Sequence, residues 1–312
     1  MPGPATTAAP DGVLVVDKPG GMTSHDVVSR VRRALGTREV GHAGTLDPMA
    51  TGVLVVLVGQ GTKLAPYLTA ADKGYRATVR LGVATDSLDA DGAETERRPV
   101  AEGALEPAEI ERAMTLERAR TEQSPPVVSA IKIAGVASHA MARRGQSVAL
   151  ADRPVRVDRL VALAIRRGPP ELDLELVCAK GYYVRALARD LAASLGTVGH
   201  LGALRRLHSG AFTLADAVAL EPLDGSVFRA RLVPIEHAAA RALPTVALTE
   251  EGTHKATQGK RLAGSDALAP FPDGPSAWLD AQGLLVAIGA PALDDVGGAR
   301  VLRGFHRGDA HG

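Results

Sequence analysis

Aromatic residues make up only 3% of the chain, and there is one cysteine, Cys178. A single thiol cannot close an internal disulfide, and no Cys/His grouping has the spacing of a structural zinc site. That usage suits a reducing compartment, and a cytoplasmic location is expected. No apolar run approaches the roughly 20 residues that a membrane-spanning helix needs. The opening MPGPATTAAPDG lacks the basic and apolar regions of a signal peptide. Net charge is also small, with 36 Lys+Arg against 35 Asp+Glu. No strong overall field favours nucleic acid, so any phosphate binding has to come from local patches.

What remains is a globular balance of 46% hydrophobic and 23% charged residues over 312 positions, enough for one large domain and a small one. The charge is unevenly spread: residues 1–242 hold 30 basic against 27 acidic residues, and residues 243–312 hold 6 against 8. Arginines cluster at Arg30, Arg32 and Arg33, at Arg143 and Arg144, at Arg153, Arg156 and Arg159, and at Arg205 and Arg206. Any one cluster on its own reads as a solvated surface.

The most informative stretch is Gly41-His42-Ala43-Gly44-Thr45-Leu46-Asp47-Pro48-Met49-Ala50-Thr51-Gly52, followed by the apolar run Val53–Val58. Gly44, Gly52 and Pro48 around one carboxylate make a shaped loop, with Asp47 pushed toward extended geometry by Pro48. The run after it reads as a buried strand. By local chemistry alone an Asp-Pro pair is a turn. A carboxylate on a fixed loop at a buried strand can also be a reactive group held still.

Other segments can be placed by pattern. Gly12–Asp17 reads as a strand, and Thr23 or Ser24 caps a helix stopped by Gly36. Gly59–Lys63 lacks P-loop spacing and reads as a strand-to-helix turn. Tyr75, Ala77, Val79 and Leu81 alternate with polar residues, giving a half-buried strand with Tyr75 inward. Ser87–Gly92 resembles part of a calcium loop, but Arg98 stands where the bidentate acid belongs, so it reads as a turn. Residues 103–120 form a charged helix. Leu172, Leu174, Leu176 and Cys178 alternate in another strand. It leads through Lys180–Arg185 into a helix with Arg185 in its first turn, where an Arg can hold a carboxylate bidentately. Residues 222–242 read as a connector. From Leu243 onward, short strands alternate with turns.

GHAGTLDPMATGVLVV, with Lys73-Gly74-Tyr75, Lys180-Gly181-Tyr182-Tyr183-Val184-Arg185 and Leu204-Arg205-Arg206 in order after it, resembles the TruB family of pseudouridine synthases, the bacterial tRNA pseudouridine(55) synthases. The first block, VDKPGGMTSHDVV, is similar too. The resemblance implies an α+β pseudouridine synthase fold, with a mixed, mostly antiparallel sheet flanked by helices. It also implies a catalytic domain over 12–242 with an RNA-gripping insertion at 123–150, and a small β-barrel-like PUA-type RNA-binding domain over 243–312; residues 1–11, small, Pro-rich and without periodicity, are expected to be a disordered tail. In family terms Asp47 is the catalytic nucleophile, paired with Arg185. Tyr75 stacks on the target uracil, Tyr183 packs under it, Leu204 lines its pocket, and His42 lies against the RNA near the displaced base. Val128 and His139 depart from the tyrosines common at their positions. The expected activity is isomerisation of uridine 55 in the T-loop of tRNA, without cofactor or metal, by a monomer whose partner is the T-stem-loop. A synthase acting on guide-RNA targets and a non-catalytic RNA-binding or tRNA-folding protein remain as alternatives.

Overall fold

The computed structural model describes residues 10–126, 151–292 and 297–306, together with the backbone of the short strands Lys132–Ile133 and Val136–Ala137. Residues 1–9 of the tail expected over 1–11, most of the 123–150 insertion, and Val128 and His139 lie outside the described residues.

Two sequence textures set the architecture. Strands β1 (Gly12–Lys18) and β3 (Thr51–Val58) are almost continuously apolar and buried. Such strands need cover on both faces. They get it from helix α1 (Ser24–Leu35) and a short helix at Gly225–Ala230 on one side. On the other side lie Leu64, Leu68, Phe212 and part of the C-terminal unit. The pair is antiparallel, with β2 (Val40–His42) added on the other edge of β3.

Strands β4 (Lys73–Leu81), β5 (Val157–Arg167) and β6 (Pro170–Cys178) keep one face polar. Their apolar face packs on helices α2 (Pro107–Arg118) and α3 (Val184–Ser194), with Tyr75, Val79, Leu172, Leu176, Ile110 and Leu187 in one core. Across their open face, Arg76 and Arg159 reach Glu175, Arg80 reaches Glu171, and Arg166 reaches Glu171 and Asp173. Exposed pairs of this kind each stabilise by less than about 1 kcal/mol.

Strand β7 (Gly199–Ser209) joins the two halves. It pairs antiparallel with β4 and, through Arg205 and Arg206 only, parallel with β3. With β8 (Phe212–Thr213) beside β7 and β9 (Val218–Ala219) parallel to β1, the nine-stranded sheet runs β5-β6-β4-β7-β3-β1-β9. It is mixed and mostly antiparallel, as expected of this α+β chain.

Beyond it, β10 (Thr245–Ala247), β11 (Ser276–Leu279), β12 (Leu285–Pro291) and β13 (Ala299–Gly304) form a separate four-stranded sheet. Helix α4 (Glu250–Thr257) packs on it, and fully buried Trp278 anchors its core. The two units share apolar contacts: Ala277, Leu285, Ile288 and Phe305 belong to the same cluster as Val13, Val53 and Leu57. Asp11, expected in the tail, accepts hydrogen bonds from the Gln60 backbone at 2.8 Å and its side chain at 2.9 Å.

Candidate active site

Asp47 sits between β2 and β3 on a loop pinned on both sides of it. Before it, the Ser24 hydroxyl accepts from the Leu46 amide (2.8 Å) and donates to the Leu46 carbonyl (3.1 Å). After it, the Pro48 carbonyl accepts from the Gly21 amide (2.9 Å) and from buried Lys18 Nζ (3.1 Å). Lys18 also donates to the carbonyls of Pro19 and Met22, so all three ammonium protons are used. Burial lowers its pKa to about 8. Gly52 closes the loop at φ +99°, where a Cβ would lie 2.2 Å from the Arg206 carbonyl. Only glycine lets β3 approach β7 that closely.

Arg185 comes from the first turn of α3. No side chain of Tyr183 caps that helix; instead Gln123 accepts from the Tyr183 amide at 2.9 Å and donates to its carbonyl at 3.2 Å. The guanidinium meets Asp47 bidentately, Nε to Oδ2 at 3.0 Å and Nη2 to Oδ1 at 3.1 Å. Its Nη1 donates to the Ser87 carbonyl at 3.0 Å and lies 3.5 Å from Asp89 Oδ2. Arg185 and Asp89 are both buried, while Asp47 keeps 30% of its side chain exposed toward a cavity. Burial pushes the Asp47 carboxyl above its ordinary pKa, and Arg185 opposes that shift.

The cavity holds about 280 Å³, near the lower end of small-ligand sites. Asp47, Tyr75, Tyr183, Arg185 and Leu204 all line it, so five of the six expected site residues converge. The sixth, His42, is half-buried and does not line it. Burial lowers its pKa, with Arg206 adding to the effect, and its Nδ1 lacks a partner among the described residues. Tyr75 is buried on β4; burial raises its phenol pKa, against the nearby Arg206 guanidinium.

Four contributors were not legible as such. Asp89 lies in the segment read as a turn, yet it backs Arg185. Arg206, fully buried, donates to the carbonyls of Val53 (2.6 Å), Thr45 (3.3 Å) and Gly44 (3.1 Å), fixing the Asp47 loop and the start of β3 to β7. An arginine among inward-facing strand positions is a signal that could have marked it. Lys18 and Gln123 gave no local sign. A larger hollow of about 520 Å³ lies in the C-terminal unit against Leu268, Pro270 and Phe271, without paired titratable groups. Among the described residues, no group of three or more His, Cys, Asp or Glu is placed to hold a metal ion. No helix among them is long and apolar enough to cross a membrane.

With this geometry in view, the comparisons with known proteins become specific. Residues 32–184 match the model of the TruB family pseudouridylate synthase N-terminal domain, and residues 185–240 match that of the tRNA pseudouridylate synthase B C-terminal domain. The chain belongs to the TruB family of pseudouridylate synthases. Among curated relatives, the tRNA pseudouridine synthase B of Mycobacterium sp. strain KMS is 46% identical over 270 residues, covering 84% of this chain and 89% of that one. The namesake from Thermobifida fusca strain YX is 43% identical over 274 residues, covering 85% and 92%. Among solved structures, a chain of a Cbf5-Nop10-Gar1 complex is 26% identical with a TM-score of 0.68, covering 89% of this chain and 78% of that one. A chain of the archaeal box H/ACA sRNP Nop10-Cbf5 complex has a TM-score of 0.69 at 22% identity, covering 96% and 88%, a likeness of fold alone. In this TruB-family chain the two family models meet between Tyr183-Val184 and Arg185, beside the Asp47 ion pair.

Proposed function

We propose that this TruB-family protein isomerises uridine 55 in the T-loop of tRNA to pseudouridine, with Asp47 as the nucleophile. The observation that carries the reading is the bidentate Asp47–Arg185 pair on the wall of a nucleotide-sized cavity that two tyrosines and Leu204 also line. The names of the curated relatives support the tRNA substrate.

The reaction breaks the C1′–N1 bond and makes a C1′–C5 bond, with no net redox change. Ionised Asp47 either adds to C1′ or takes the 2′ proton to give a glycal. Arg185 keeps it charged and aimed, and removing one partner of such a pair typically costs about 3–5 kcal/mol. The target base leaves its stack at a cost of a few kcal/mol. Stacking on Tyr75 returns about 1–3 kcal/mol of that. Tyr75 also takes the C5 proton as the product rearomatises. Tyr183 packs under the base and Leu204 closes its apolar side. His42 meets RNA outside the cavity, near the vacated stacking position. The 123–150 insertion grips the loop, and residues 243–312 act as a PUA-type RNA-binding domain of a monomeric cytoplasmic enzyme.

The decisive experiment is Asp47→Asn, which removes the charge and keeps the shape. Tritium release from C5-labelled tRNA should stop while tRNA binding persists. Turnover at the wild-type rate would overturn the assignment.

A further inference from the structure

Besides Arg185, the same cavity is bordered by three cations, Arg206 on β7, already engaged with three carbonyls, Lys73 at the start of β4 and Lys180 between β6 and α3. Lys73 is 8% exposed and its stem runs along the catalytic loop, since a Cβ on Gly44 would lie 3.3 Å from Lys73 Cε. Its ammonium donates to the carbonyls of Thr69 at 3.0 Å and Ala71 at 2.7 Å, which leaves the third proton for the cavity. Both acceptors are neutral, and among the described residues no carboxylate lies within ion-pair distance of Lys73 or Lys180. Lys180 is exposed at the mouth, and the two ammonium groups repel each other. Burial, then the nearby Arg206 guanidinium and, least, Lys180 lower the Lys73 pKa to about 8, against the Cys178 sulfur and the Asp72 carboxylate. Arg76, Arg156 and Arg205 differ, matched to Glu175, to Asp72 and Asp158, and to Asp17, whereas Arg206 has its guanidinium engaged by three backbone carbonyls. A buried cation without a counter-ion costs stability unless a ligand supplies the opposite charge.

We infer that Lys73 and Lys180 form a phosphodiester subsite that holds a backbone phosphate flanking the target uridine while its ribose faces Asp47. The subsite rests on the function proposed above and gives the cavity two ends, a nucleophile end and an anion end. It fixes the sugar by its charged tether as well as by its base. That matters because the bond to C5 has to form after the base has come free.

The test pairs a change in the RNA with a change in the protein. T-arm stem-loops carry one neutral methylphosphonate, either 5′ or 3′ of the target uridine, and single-turnover isomerisation is followed with wild type, Lys180→Gln and Lys73→Met. One of the two neutral linkages should slow the wild type about tenfold, the scale of a charge-assisted hydrogen bond. The variants should be slow with the natural RNA and lose almost nothing more with that linkage. Lys180→Gln, at an exposed position, keeps the test open if Lys73→Met fails to fold. Independent, multiplying losses in the variants, or a wild type indifferent to both linkages, overturn the subsite. A wild type inactive on the unmodified stem-loop would instead refute the proposed function.

Discussion

Asp47 is poised between two opposed influences, burial, which favours the neutral acid, and Arg185, which favours the anion. A carboxylate that must be ionised to react loses activity as pH falls through its pKa. Because the Asp47 pKa is raised, the acid limb of the rate profile should lie above the ordinary Asp range of about 3.9. Arg185→Lys keeps a positive charge but loses the fork that engages both carboxylate oxygens. The limb should then move to higher pH and kcat should drop, while tRNA binding changes little. An unmoved limb would show that Arg185 does not set the Asp47 charge. Asp47, Tyr75, Tyr183, Arg185 and Leu204 could be picked out from the sequence because each sits in a contiguous block. Asp89 and Gln123 could not. Gln123 acts 60 positions along the chain, at Tyr183, and Asp89 meets Arg185 from a distant turn that is bridged to Leu201 on β7.

At the scale of elements, the site depends on β3 and β7 lying unusually close. Gly52→Ala would force a Cβ to 2.2 Å from one backbone oxygen and 2.8 Å from a backbone nitrogen, neither of which can swing away. A loss of about 3 kcal/mol is expected, lowering the melting temperature by roughly 6 °C or more. A variant melting with the wild type would mean that the strands can part freely. Thr23→Ala, which breaks the capping box on α1, should cost about 1 kcal/mol and leave the chemistry intact. Strands β1, β3, β4 and β6 were visible as apolar runs or strict alternation. Strands β5 and β7 were not, for a shared reason. Each carries two register shifts, at Val157/Arg159 and Ala162/Ala164 in one and at Leu201/Ala203 and Arg206/His208 in the other. A bulge inserts a residue and breaks the period of two that a reader relies on.

At the scale of the molecule, the C-terminal sheet is both an appendage and a cover. Lys63 Nζ donates to the Gly304 carbonyl at 2.9 Å, the His306 amide donates to Gln60 at 2.8 Å, and Phe305 lies beneath Lys63. Cutting the chain at residue 243 should therefore strip apolar cover from β1 and β3, the second of which follows the Asp47 loop. Lower solubility and a lower melting temperature are expected, measured by scanning calorimetry. A truncated form as stable as the whole would make the C-terminal unit thermodynamically independent. Cys178 offers a practical handle at this scale. It is 1% exposed, lies against the Lys73 carbonyl, and burial pushes its thiol pKa up to about 12. A sulfur so sealed has almost no thiolate to offer a maleimide at neutral pH. The natural chain is thus already a silent background for site-directed labelling. One cysteine introduced at exposed Leu116 or Leu268 would carry a fluorophore alone, reporting how each unit moves when RNA arrives.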